Sequence, residues 1–340
     1  MPDQQESLVS AGEFRYRADA DWARWPEGFQ VSEVTAVATD SADRVFVFNR
    51  GNYPVSVFDP GGKFLFAWGE GLFVRPHGIS IGPDDSVYLT DDMDHTVRKF
   101  TPEGKLLWTL GTSGSPSDTG ATSVDFRTIQ RAGPPFHYPT NLALGPAGEL
   151  YISDGYGNAR IHKFSPEGQL LQSWGEPGTG QGQFRIPHGI AVDAYGTVYV
   201  ADRENSRLQL FSTEGEFLTE WKDIARPCDV VVDSAGRVYV AELGYRAGMW
   251  PGTQPPHSGA TGGRVSIWNS RGNLLARFGG GERPTEAGDF FAPHDIWLDS
   301  QGSLYVSEVV RSAAKGKRPE VGDYHTLQKF RRQKAQLASA

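Results

Sequence analysis

Three histidines stand in the same short phrase of a 340-residue chain that contains only eight. The phrase is Pro-His ahead of an apolar segment: Pro76-His77-Gly78, Pro187-His188-Gly189 and Pro293-His294-Asp295. Neutral imidazole is a common ligand of transition metals, and three imidazoles with an open fourth position make a catalytic zinc site. Taken one at a time, each Pro-His could equally be a residue that packs well where a strand begins. The choice between ligand and packing rests on whether the surrounding elements can bring the three together.

Those elements repeat. The aligned segments VSVFDPGGKFLFAWG, VRKFTPEGKLLWTLG, IHKFSPEGQLLQSWG, LQLFSTEGEFLTEWK and VSIWNSRGNLLARFG each read as a hairpin, with glycine (Gly62, Gly104, Gly168, Gly215, Gly272) at the tight turn. Strands are apolar throughout or alternate apolar with polar, as sheets packed face to face require. Copies start near 31, 74, 137, 185, 225 and 291. The sixth lacks its last strand, whereas the segment 11–22 has no partner in its own copy. The economical solution is an all-β, six-bladed β-propeller over residues 1–340, with 11–22 as the strand that closes the last blade. Insertions around 112–138, 175–186, 244–262, 279–291 and 309–325 would decorate the ring.

Within this frame one column is informative. Ten positions before the first apolar residue of the second strand lie Thr35, His77, Thr140, His188, Cys228 and His294. Histidine occupies copies two, four and six, and alternate blades of a six-fold ring lie about 120° apart. If the column faces the axis, three imidazoles converge on one ion. The remaining histidines (His95, His137, His162, His257, His325) share no register and read as loop or surface residues.

A second column, Asn49, Asp91, Asp154, Asp202, Glu242 and Glu308, carries an acid or amide in every copy and reads as a tie for backbone N–H groups. The next position diverges: Arg50, Asp92, Gly155, Arg203, Leu243, Val309. Arg50 and Arg203 could clamp a carboxylate near the metal, or form surface salt bridges. Tyr156 could reach the channel with its phenol.

Composition narrows the partners. A formal charge of −8 leaves no basic surface for nucleic acid, and no apolar run approaches a membrane span. Met1–Phe14 shows no basic and apolar leader, and a single cysteine, Cys228, excludes an internal disulfide. The expectation is a soluble, cytoplasmic protein acting on a small molecule or short peptide.

The segments VFNRG (47–51), RPHGISI (75–81), SDGYGNARI (153–161), WGEPGTGQGQFRIPHGIAV (174–192), VADRENSRLQLF (200–211) and APHDI (292–296) resemble the NHL-repeat propellers. Among these they are most similar to the peptidyl-α-hydroxyglycine α-amidating lyases, from about residue 30 to 330. The resemblance implies a six-bladed propeller with catalytic zinc on His77, His188 and His294. It implies Arg50, Tyr156 and Arg203 as active-site groups. It also implies a structural calcium on the Asp295 carboxylate and the backbone carbonyls of Val37 and Ile79. The family reaction cleaves the C–N bond of an N-acyl hemiaminal to an amide and glyoxylate. Secreted members carry a disulfide near the tyrosine, where this chain has Gly157; Ala292 stands where animal enzymes often have methionine. A small, non-hormone substrate is therefore expected. Two other readings compete. One is a metal-dependent propeller hydrolase or lactonase, which would centre on calcium with acidic and asparagine ligands. The other is a non-catalytic NHL interaction module, which would need no shared histidine register.

Overall fold

In the computed structural model, residues 7–249, 252–314 and 324–333 are described; parts of the insertions expected at 244–262 and 309–325 lie outside them. Six antiparallel sheets form a ring. Blade 1 comprises Val34–Thr39, Val45–Asn49, Val55–Phe58 and Phe64–Trp68, and blade 2 comprises Pro76–Ile81, Val87–Asp91, Thr96–Phe100 and Leu106–Leu110. Blade 3 begins with Pro139–Leu144 and Leu150–Asp154, blade 4 with Pro187–Val192 and Val198–Asp202, and blade 5 with Pro227–Val232 and Val238–Glu242. Blade 6 runs Pro293–Leu298, Leu304–Glu308 and Leu327–Arg332. Its next strand is Phe14–Asp19 from the other end of the chain, with Tyr16 opposite Arg332 and Asp19 opposite Lys329.

The closing segment adds a feature that the repeat pattern does not contain. Ser7–Ala11 pairs back on Phe14–Asp19, so blade 6 has five strands. Leu8 on this outer strand is 65% exposed, so it adds backbone pairing more than core. Pairing Phe14–Asp19 with Leu327–Arg332 gives blade 6 the strand it would otherwise lack and so closes the ring.

Each blade buries both faces against its neighbours. Phe46, Phe48, Val55 and Val57 of blade 1 interleave with Leu89 and Phe100 of blade 2, and equivalent clusters recur around the ring. At about 25 cal/mol per Å² of apolar surface, these inter-blade layers are the main stabilising term. Innermost strands touch their neighbours in sequence round the ring, with the last against the first. Among the described residues no helix is long and apolar enough to cross a membrane.

The acid and amide column ties each blade to the segment that leads into it. Asp91 accepts from the N–H groups of Val74 and Arg75, Asp154 from His137, Asp202 from Arg185, Glu242 from Ala225, and Glu308 from Phe291 and Ala292. These bonds fix the residues just ahead of the inner strands, which carry the histidines. In blade 1 the uncharged Asn49 takes this place and accepts from Gly51.

Candidate metal centre

Each of the three histidines is the second residue of an innermost strand, and their side chains meet on the axis. His77, His188 and His294 are all buried, with ring centroids 4.7–4.9 Å apart. One nitrogen from each lies within 4.8 Å of the others.

The intervening members of the column explain the orientation. His77 Nδ1 lies 2.7 Å from the carbonyl of Thr140, His188 Nδ1 2.7 Å from that of Cys228, and His294 Nδ1 2.7 Å from that of Thr35. A carbonyl only accepts, so each Nδ1 must carry the proton, and each Nε2 is left with a bare lone pair. Burial, reinforced by neighbouring arginines and, for His77 and His188, by neighbouring imidazoles, holds all three rings below the ordinary imidazole range; His294 falls to about 3. These are ligand-ready imidazoles with a backbone carbonyl behind each one.

The Tyr156 hydroxyl is 3.1 Å from His77 Nε2 and 3.0 Å from His188 Nε2, and Arg203 Nη1 donates to it at 3.3 Å. One phenolic proton cannot serve two imidazole lone pairs. The surplus of acceptors in a buried pocket is the observation that fits a cation among the three Nε2 atoms. Burial raises the phenol above its ordinary pKa, although Arg203 and Arg75 pull it down. The protein groups alone therefore hold Tyr156 as a phenol.

Both expected arginines lie at this end of the channel, and both are also in ion pairs. Arg50 pairs with Glu33 and donates to Ser312 Oγ at 2.7 Å and to the Pro76 carbonyl at 3.2 Å. Arg203 is buried and pairs with Glu204 at 2.9 Å. The clamp and salt-bridge readings are thus compatible in the same side chains. A third arginine, Arg75, joins them. It makes a two-pronged pair with buried Asp92, at 2.7 and 2.6 Å. Its guanidinium sits 5.7 Å from the centre of the Tyr156 ring, which Arg203 approaches to 5.3 Å. Arg75 precedes the proline of its copy, a position outside the columns singled out in the sequence. Its own column, Glu33, Arg75, Tyr138, Ile186, Arg226 and Ala292, diverges as much as the one containing Arg50, and this was the available signal.

A second tier lies one residue further along the inner strands, where the chain reads Ala36, Gly78, Asn141, Gly189, Asp229 and Asp295. Asp295 Oδ1 accepts from the Val37 N–H at 3.0 Å. Asp229 accepts from Asn141 Nδ2 at 3.0 Å and faces the Ile296 N–H at 3.4 Å. Burial, and for Asp295 the Asp229 charge as well, push both carboxyls up, Asp229 to about 7. Two interacting buried carboxyls either hold a proton or share a cation, and oxygen donors suit calcium. Asp229 and Asn141 were not among the expected residues. Ile79 lines the same side of the channel, beside a cavity of about 650 Å³ that also reaches Asn141 and Asp229. A smaller cavity, about 320 Å³, opens at the opposite end over His294, Tyr156, Arg50, Arg75 and Arg203.

The expectation that the other histidines are loop or surface residues needs correction at His162. His162 is fully buried in blade 3, between Asp154 (3.2 Å) and Ser173 (2.7 Å). His95 and His137 lie in loops, as expected, but are buried there with rings 5.6 Å apart. Inner faces of blades accept a hydrogen-bonded imidazole, which a register search for the axial column does not detect. His257 is exposed and His325 is half-buried, as a surface assignment requires.

Comparison with known proteins adds to this geometry. The NHL repeat family matches residues 184–211. Peptidyl-alpha-hydroxyglycine alpha-amidating lyase 1 of Drosophila melanogaster is 30% identical over 84% of this chain and 57% of its own. Peptidyl-glycine alpha-amidating monooxygenase B of Xenopus laevis is 28% identical over 97% of this chain and 38% of its own. The chain thus spans about two fifths to three fifths of these relatives' length. A gluconolactonase of Xanthomonas campestris superposes with a TM-score of 0.62 at 12% identity, over 97% of this chain and 96% of that one, which shows the shared fold.

Proposed function

From an NHL-repeat β-propeller that resembles the peptidyl-α-hydroxyglycine α-amidating lyases, we propose a metal-dependent lyase. It would cleave the C–N bond of an N-acyl hemiaminal of the α-hydroxyglycine type, giving an amide and glyoxylate, on a small non-hormone substrate. The observation that carries this reading is the convergence of three Nε2 lone pairs, with every Nδ1 tied to a carbonyl, directly under the Tyr156 hydroxyl.

His77, His188 and His294 would hold a zinc ion, which supplies Lewis acidity toward the substrate hydroxyl. The chain's own groups account for orientation and proton movement. Arg50 and Arg203 hold the glycolyl carboxylate, each already oriented by its own acid. Tyr156 would act as the phenolate, a form that a cation held by the three histidines would favour alongside the Arg203 and Arg75 charges; the phenolate receives the substrate hydroxyl proton and returns it to the departing amide nitrogen. The C–N bond breaks as the carbonyl forms and the nitrogen gains the proton, so the reaction needs no oxidant and no net proton. Asp295, with the carbonyls of Val37 and Ile79, would hold a structural calcium in the lower tier, with Asp229 and Asn141 beside it.

The test is glyoxylate release from α-hydroxyhippurate by the metal-replete protein. Turnover that falls by roughly 10²–10⁴ in Tyr156→Phe and vanishes in His188→Ala supports the lyase; a metal-loaded protein with no release would overturn it.

A second reading, a metal-dependent hydrolase of the lactonase kind, draws on the Asn141, Asp229 and Asp295 tier and the 650 Å³ cavity beside it. It requires activity that survives loss of the histidines and disappears in Asp229→Asn.

A further inference from the structure

The cavity over the histidines has two chemically different halves, and the blades divide it. Blades 1 to 4 contribute Arg50, Arg75, Tyr156 and Arg203, with Val124 of the insertion between blades 2 and 3 as their one apolar side chain. Blades 5 and 6 contribute Leu243 and Val309, backed by Ala313. Leu243 and Val309 occupy the same repeat position as Arg50 and Arg203, so the ring presents a cationic arc and an apolar arc at one level. Behind the apolar arc the packing is equally apolar: Leu243 and Val309 cluster with Cys228, Ala247 and Ala292.

The apolar arc is also a built wall. The Gly248 N–H donates to the Ala313 carbonyl at 3.1 Å, joining the blade 5 loop to the short helix Val310–Ala314 of blade 6. Gly248 has φ +59°, and a Cβ there would come 3.0 Å from Leu243, so the close approach depends on glycine. On the other side Ser312 of that helix is held by Arg50 and Glu33. The helix therefore closes the apolar side while touching the cationic one. At about 320 Å³ the space is at the small end of ligand sites.

We infer that the apolar arc of Leu243, Val309 and Ala313 is the acyl subsite, and that the protein selects compact, apolar N-acyl groups on a carboxylate-bearing glycine unit. The carboxylate lies toward the arginines of blades 1 to 4 and the acyl group toward blades 5 and 6. Val309 and Leu243 are specificity-determining residues. The inference rests on the lyase reading for the identity of the glycine unit, but the orientation is testable without turnover.

The test uses N-acylglycines, which lack the reactive hydroxyl, as ligands of the metal-loaded full chain: acetylglycine, butanoylglycine, hexanoylglycine and hippurate. Calorimetry should show affinity rising about fourfold per added methylene from acetylglycine to butanoylglycine, the value for burying a CH₂, and levelling off at hexanoylglycine as the compact space fills. Val309→Thr, which keeps the volume and adds a hydroxyl, should weaken hippurate roughly tenfold and acetylglycine less than twofold. Leu243→Ala gives a second variant should the first fold poorly, and the wild-type series stands without either. Equal affinity across the series, or equal loss for hippurate and acetylglycine, overturns the acyl subsite. Preference in binding with no glyoxylate release from the matching hydroxylated ligands would overturn the lyase reading and leave the subsite standing.

Discussion

Glu308→Gln isolates the tie that supports the third histidine. Glu308 is fully buried, accepts from the N–H groups of Phe291 and Ala292, and receives Gln328 Nε2 at 3.2 Å. Phe291 and Ala292 lead directly into Pro293-His294. Burial raises its carboxyl from 4.5 to about 7 against these donors. Between pH ~4.5 and ~7 the unfolded chain has released this proton and the folded chain has kept it, so stability falls as pH rises through that window and levels off above it. A shift of this size corresponds to about 3 kcal/mol. Glutamine keeps an acceptor for both backbone groups and does not titrate. Urea unfolding at pH 5, 6, 7 and 8 should therefore show the stability difference (variant minus wild type) growing by about 3 kcal/mol across the range. Asp202 and Asp229 also titrate with raised values, but they contribute to both proteins and cancel. Parallel curves for the two proteins would refute the assignment.

Other outcomes follow from the same geometry. Tyr156→Phe should lower kcat by roughly 10²–10⁴ with KM within about threefold and metal content unchanged, measured by steady-state glyoxylate release. Gly78→Ala would place a Cβ 2.6 Å from both Asn141 Oδ1 and the Thr140 carbonyl. It should cost about 1–3 kcal/mol in urea unfolding and weaken metal binding roughly 10–100-fold, because that carbonyl holds His77 Nδ1. Asp229→Asn removes one of two crowded carboxyls; a thermal melt at pH 8 without divalent cations should rise, and the gain on adding calcium should shrink.

Much of this was legible because a repeat turns spacing into position. Residues ten places before a strand fall on one ring of the propeller, so alternate histidines could be read as convergent without any knowledge of distance. The same arithmetic could have found Asp229 beside Asp295, one place further on, and Arg75, one place before the proline. Neither position belongs to the two columns that hold the histidines and Arg50, and Asp295 itself is reached only through the family resemblance. The Ser7–Ala11 strand was hidden differently. It belongs to no repeat, and only Leu8-Val9 and the turn at Gly12 (φ +61°) mark it. The burial of His95, His137 and His162 could not be read from register, since it depends on how blades pack laterally. The carbonyls behind each imidazole were also invisible, because Thr35, Thr140 and Cys228 act there through backbone atoms that no side-chain pattern records.

The central claim is that the histidine column exists to hold an ion. Metal analysis of the purified protein, alongside His188→Ala with its fold checked by circular dichroism, tests it most directly. About one transition-metal ion per chain, zinc foremost, is expected in the native protein, together with a folded variant that has lost it. A native protein without near-stoichiometric transition metal, or a variant that keeps its full complement, would contradict it.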